Sequence, residues 1–241
     1  MRYVVVGIDG SGSRQWRRRD GSNSHVYGFV HDVITPQSLK YYHHGPDTFG
    51  IQVGSILSGA ESWLFRTLIE LGLPAAEIPS DLKVVIVGHS RGGAIAIELA
   101  ARLRRVNAPV QFLGLYDAVD RAIPTGGGRI HNVRMTYHAL RHPRVGSRWA
   151  FSNVGVQEES DNYHKAYFYT SHGGVGGDPM LHPSSFGDDY SLHGDNEVIQ
   201  EAMGYEPRAR YLEQSVAADW FIRGGARIHG VRMQPARPRS G

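Results

Sequence analysis

The sequence predicts an α/β fold, a mostly parallel central sheet with helices on both faces. Three observations carry this. Residues 82–87, "LKVVIV", are apolar but for Lys83 and have the composition of a strand covered on both faces. They run almost directly into the helical spacing of Ala94, Ile95, Ile97, Leu99, Ala100 and Leu103. Strand-like and helix-like stretches alternate along much of the remaining chain, and one large core can occupy its 241 residues, so a single domain over 1–241 is expected.

Taken in order, residues 3–8 form a first strand and "GIDGSGS" a glycine-rich turn after it. "RQWRRRDGSNS" is a polar, basic stretch expected to be a solvated loop. "SLKYYHHG" is a candidate second strand. From Ile51 to Leu71 the positions Val53, Ile56, Leu57, Ala60, Trp63, Leu64, Leu68 and Leu71 recur every three or four residues, an amphipathic helix that Gly72 and Pro74 end. The helix after residue 90 closes on Arg104 and Arg105, where cations complement the dipole. "APVQFLGLYDAV" is the next strand, running into the loop "DRAIPTGGGRI". Residues 131–140 alternate weakly as a strand, and "HKAYFYTSH" is a better one, ending in glycine-rich "GGVGGDP". Helices are expected over 195–204, under an Asp195 cap, and over 211–222, with a frayed tail from about 233 to 241.

Composition narrows the function classes. Lysine plus arginine exceeds aspartate plus glutamate by 26 − 23 = 3, a surplus that only mildly favours anionic surfaces. No nucleic-acid motif accompanies it. The absence of cysteine excludes disulfides, thiolate metal sites and cysteine nucleophiles. No segment approaches the roughly 20 apolar residues of a membrane-spanning helix, and the apolar run of "MRYVVVGIDG" is too short for a signal-peptide core. The protein is expected to be cytoplasmic as synthesised, with any export proceeding without a cleaved signal.

Gly88-His89-Ser90-Arg91-Gly92 matches G-x-S-x-G, a pattern that composition alone would produce roughly 0.3 times in such a chain. Context makes it informative. A nucleophile elbow follows a buried strand and opens a helix, the sharp turn lifts the hydroxyl above the sheet edge, and glycines at the flanks avoid collision with neighbouring backbone. The helix start adds a positive dipole end, with the Arg91 amide as a candidate oxyanion donor. A serine here is also a natural helix cap. As a nucleophile it needs a base and an orienting carboxylate, which in this class follow in the order serine, acid, histidine. Asp117 closes the strand after the elbow helix, with Asp120 as rival. His172 closes "AYFYTSH", while His182 and His193 are weaker candidates. His43 and His44 with Asp47 lack the spacing of a metal site, so neither metal nor cofactor is expected.

Several further motifs occur in a familiar order. "GIDGSGS", the tyrosine-rich "YYHHGPDTFG", "GHSRGG", "FLGLYDAV", "YHAL" and "SHGGVGGDP" together resemble the α/β-hydrolase-like family, first catalogued as a domain of unknown function, that includes type VI secretion phospholipase effectors. The resemblance spans roughly residues 3–180. It implies an α/β-hydrolase-like fold, Ser90 as nucleophile, Asp117 rather than Asp120 as acid, His172 as base, and Gly10 and Ser11 as source of a second oxyanion donor. Gly174 departs from the pattern, standing where the family has aspartate. The implied substrate is a lipid or other ester, with transient membrane-surface contact and a cognate immunity protein as implied partners. A small-ester or polymer esterase, and an interaction module on a hydrolase fold, are the other classes compatible with the sequence.

Overall fold

The structure, a computed structural model, describes residues 2–11, 24–47, 50–72, 82–106, 108–119, 132–143, 162–177 and 207–235. Within these, six strands make one parallel sheet: β1 (Arg2–Ile8), β2 (Lys40–His43), β3 (Leu82–His89), β4 (Val110–Tyr116), β5 (Thr136–Arg141) and β6 (Tyr163–Phe168). Their spatial order is β2-β1-β3-β4-β5-β6. The helices are α1 (His25–Asp32), α2 (Val53–Glu70), α3 (Arg91–Leu103), the single turn α4 (His172–Val175) and α5 (Pro207–Ile228). This is the α/β-hydrolase type of architecture.

Alternation along each strand sorts the core into two layers. Val4, Val6 and Ile8 of β1, with Val84 and Ile86 of β3, face α2 and α3. Tyr3 and Val5, with Val85 and Val87, face α1 and α5. Both faces are therefore covered, which is why β3 reads as near-continuous apolar sequence. Its residues 84–87 are fully buried. Fully burying a side chain such as Ile95 or Leu99 contributes about 1.5–3 kcal/mol. In β4 the partner of Val84 is Val110 but that of Val85 is Phe112, so Gln111 is an extra residue that restores the correct face for Leu113 and Leu115.

From β1 the chain moves outward to β2, then returns past β1 to β3 and continues the other way. Loops leaving the C-terminal ends of β1 and β3 therefore diverge, and an open α/β sheet forms its crevice at such a reversal. Ser90 follows the last residue of β3.

Some boundaries differ from expectation. Helix α1 was not anticipated. Ser24 caps it, accepting from the Tyr27 amide at 2.9 Å, and Val26, Phe29 and Val30 bury against the sheet. Strand β5 begins only at Thr136, because Asn132 is turned into a joint, its side chain donating to the carbonyls of Ala100 (2.7 Å) and Ala108 (3.2 Å). Helix α5 is longer than expected. The tail is anchored at its start, where Met233 bridges Val33 and the Gln234 amide donates to the Asp32 carbonyl at 2.7 Å. The loops expected at 14–23 and 120–130, the helix at 195–204 and residues 236–241 lie outside the described residues. No helix among those described is long and apolar enough to cross a membrane.

Candidate active site

Ser90 stands at the junction of β3 and α3 with φ 55° and ψ −130°, a conformation that costs a non-glycine residue on the order of 1–3 kcal/mol. Surrounding bonds hold it there. Its amide donates to the Tyr116 carbonyl at 3.1 Å, and its own carbonyl accepts from the amides of Gly93 and Val119. A Cβ on Gly88 would strike the Gly92 carbonyl, and one on Gly92 would strike the carbonyls of Ile8 and Asp9. Only glycine at both positions lets the strand, the helix and β1 approach this closely. The Ser90 side chain makes no capping bond to α3.

That hydroxyl lies 2.8 Å from His172 Nε2. The histidine does not close a strand, since β6 ends at Phe168. It opens α4 instead, under a Ser171 cap whose Oγ accepts from the Gly174 amide at 3.0 Å. The Gly174 carbonyl accepts from Ser215 Oγ of α5 at 2.6 Å, and the Gly176 carbonyl from the His25 amide at 3.0 Å. The turn carrying His172 is thus tied to α1 and α5. At Gly174 a Cβ would run into Thr170 Oγ1, so a side chain here requires that hydroxyl to move.

His172 Nδ1 lies 2.7 Å from Asp117 Oδ2, and the carboxylate requires that nitrogen to carry the hydrogen, leaving Nε2 as acceptor for Ser90. Asp117 has φ 43°, and with Ser90 it is one of two non-glycine residues with positive φ among those described. Its amide donates to the Ala139 carbonyl at 2.7 Å. Burial alone would push its carboxyl up. The hydrogen bond from His172 and the positive charges of His172 and Arg141 reverse this and hold it below the ordinary carboxylate range. The acid is sealed from solvent and Ser90 is itself buried, while the His172 side chain keeps 15% exposure.

Two further groups flank Asp117, neither assigned a role from the sequence, although His138 lies in the YHAL motif. Arg141 Nη1 donates to Oδ2 at 2.9 Å and the Arg141 amide to Oδ1 at 3.3 Å. His138 lies fully buried beside it, its Nε2 accepting from the Ala118 amide at 3.2 Å and its Nδ1 facing Tyr163 Oη at 3.0 Å. Burial pushes the His138 imidazole down to about 4, keeping it neutral. Both lie within β5, and the one sequence signal near them was the YHAL motif, which contains His138 and directly precedes Arg141.

On the opposite side, Gly10 packs against Ser90, where an added Cβ would come within 2.9 Å of the serine Cβ. The Gly10 amide donates to Asp9 Oδ1 at 3.2 Å, and Ser11 Oγ accepts from Arg91 Nη1 at 2.9 Å. Asp9 is fully buried, and its Oδ2 accepts from Ser24 Oγ (2.6 Å) and Tyr42 Oη (2.7 Å), which gives the tyrosine-rich second strand a task. His89 donates from Nε2 to the His172 carbonyl at 3.1 Å, joining the elbow to the histidine turn. His43 turns its Nδ1 to the Gly45 amide at 3.1 Å, while His44 packs edge-on against Tyr42. Asp120, His182 and His193 lie outside the described residues.

A serine, an imidazole and a buried carboxylate so linked can relay a proton away from the serine, beside the positive end of the 13-residue helix α3. No protein-family model matches the chain, and no curated protein matches it in sequence. Among solved structures the chain is similar to the Tle1 effector bound to the VgrG spike from the type 6 secretion system. The identity is 11%, with 98% of this chain and 75% of that chain covered at a TM-score of 0.56. At this identity the likeness shows the fold.

Proposed function

We propose that the chain is a serine ester hydrolase of the lipase or phospholipase class, acting on acyl esters. The observation that carries this is the unbroken line from Ser90 Oγ through His172 to Asp117, with contacts of 2.8 and 2.7 Å, on a strained strand–helix turn. His172 Nε2 takes the Ser90 proton as Oγ attacks the ester carbonyl, and the Asp117 carboxylate faces the imidazolium that forms. The Arg91 amide at the head of α3 stabilises the tetrahedral oxyanion. The second donor comes from the Gly10–Ser11 turn, and we assign it to the Ser11 amide because that of Gly10 is directed at Asp9. The imidazolium then protonates the leaving alcohol. Water, deprotonated by the same histidine, cleaves the acyl-enzyme.

A lipid substrate is favoured by the motif resemblance, and the fold likeness to the Tle1 effector is compatible with a type VI secretion role. On this reading the protein is made in the cytoplasm, is delivered as a type VI secretion effector, touches a membrane surface transiently and is neutralised by an immunity protein. The test is acyl release from phospholipid vesicles and from short soluble esters by wild type, Ser90→Ala and His172→Ala. Release from vesicles that both substitutions abolish is expected. Hydrolysis of short esters alone, with no gain at an interface, would favour a small-ester or polymer esterase. Release by folded Ser90→Ala at the wild-type rate would refute the chemistry.

A further inference from the structure

The turn that follows β1 is gripped residue by residue. The Asp9 carboxylate accepts from Ser24 Oγ at 2.6 Å, from Tyr42 Oη at 2.7 Å and from the Gly10 amide at 3.2 Å. Gly45, at φ 85°, packs so closely on the turn that a Cβ there would strike the carbonyl oxygens of Asp9 and Gly10. The backbone is thereby fixed as far as Gly10. Ser11 comes next and carries the amide assigned above to the oxyanion. Its Oγ accepts from Arg91 Nη1 at 2.9 Å.

Arg91 is the first residue of α3, and its own amide is the other assigned donor. A single side chain therefore ties the residue that bears one donor to the residue that bears the other. The guanidinium also rests on Gly50, where an added Cβ would lie 3.4 Å from Cζ and Nη1. A planar fork seated on backbone loses little freedom in reaching a hydroxyl, and a bond from a cation is stronger than one between neutral groups.

Resting on the hydrolase reading above, we propose that the Arg91 side chain is a positioning residue, which with the Ser11 hydroxyl forms a clasp that sets the spacing of the two oxyanion donors. Such a clasp acts where charge develops on the oxyanion, and far less on the bound ester. Losing a donor outright costs on the order of 10²–10³ in turnover, so a donor left in place but released from its clasp should cost about 10-fold.

The experiment uses the full chain as wild type, Ser11→Ala, Ser11→Thr, Arg91→Met and the double variant Ser11→Ala with Arg91→Met. A fluorophosphonate probe reports on the same donors, because its phosphoryl oxygen gains charge as Ser90 Oγ attacks phosphorus and the leaving group departs. The maximal labelling rate and the half-saturating probe concentration are measured for each, with thermal melting alongside. Ser11→Ala and Arg91→Met should each lower the maximal rate about 10-fold at an unchanged half-saturation, and Ser11→Thr, which keeps a hydroxyl, should lose less. The double variant should be no slower than the slower single one, since two groups that act through one bond do not add. Ser11→Ala labelling at the wild-type rate, losses that multiply in the double variant, or an effect confined to half-saturation would each overturn the proposal. Should Arg91→Met not fold, Ser11→Ala labelling more slowly than Ser11→Thr upholds the clasp, and equal rates overturn it. A wild type that does not label at all would instead overturn the hydrolase reading itself.

Discussion

Gly92→Ala tests whether close backbone approach is what aims the nucleophile. The added Cβ would fall against the carbonyl oxygens of Ile8 and Asp9 and 2.7 Å from the Ile8 carbonyl carbon. Carbon–carbon contacts are comfortable at about 3.5–4.0 Å, so the start of α3 has to retreat from β1 by roughly 1 Å. β1 cannot yield instead, because it is paired on both sides, with β2 and β3. Overpacking of this kind costs about 1–3 kcal/mol, which for a chain of this size lowers Tm by about 2–12 °C. Ser90 lies two residues before Gly92 and moves with it, and a misplacement of about 1 Å typically costs on the order of 100-fold in rate. Fluorophosphonate labelling kinetics well below Tm, alongside thermal melting, read both quantities. Gly224→Ala is the control. Nothing lies within 4 Å of its added Cβ in α5, so it should stabilise by about 0.5–1 kcal/mol and leave labelling unchanged. A Gly92→Ala protein that melts like wild type and labels at the wild-type rate would refute this account of the elbow.

Asp117→Asn should preserve the backbone, since asparagine tolerates φ near 43°, yet present an amide to His172 and favour the wrong tautomer. Turnover should fall about 10⁴-fold by analogy with other triads, and a loss below tenfold in ester hydrolysis would contradict the assigned role. Arg223 lies 3% exposed between Asp32 (2.7 Å) and Asp219 (2.8 Å), so Arg223→Met strands two buried carboxylates. A loss of about 3–5 kcal/mol is expected in urea unfolding, and less than 1 kcal/mol would show the pairing to be dispensable. His138 protonates at about 4 in the folded protein against about 6.5 when unfolded, so the unfolded chain takes up the proton first. Stability present above about pH 6.5 should thus be lost as pH falls toward 4, by about 3 kcal/mol in all. Urea midpoints at pH 7, 5 and 4 should show this for wild type and not for His138→Gln. Asp117, whose carboxyl is depressed, contributes above the ordinary carboxylate value near 4 and loses its contribution only below it, so the two are separable.

What was legible in the sequence follows from where each signal originates. β1 and β3 were visible because burial on both faces demands apolar residues in series, and Ser90 because its turn demands glycines at fixed offsets. Asp117 was not separable from Asp120 by residue type alone. Its position depends on the end of β4, and only the motif resemblance favoured it. Helix α1 was missed because eight residues are too few for a strong periodic signal, and its stability comes from burying Val26, Phe29 and Val30. Arg141 was missed because its contact is created by the pairing of β4 with β5, where Tyr116 lies opposite Ala139. Nothing in the sequence around either residue encodes that register. The turn at His172 was mistaken for a strand end because Ser171 and the glycines after it serve a short capped helix as readily as a loop.

The account rests on Ser90 being activated by His172. Mass spectrometry of the intact chain after fluorophosphonate treatment, with the modified peptide sequenced, tests this most directly. One adduct on Ser90 in wild type and essentially none in His172→Ala is the expected result. An unmodified wild type, or a His172→Ala protein that labels as fast, would contradict it.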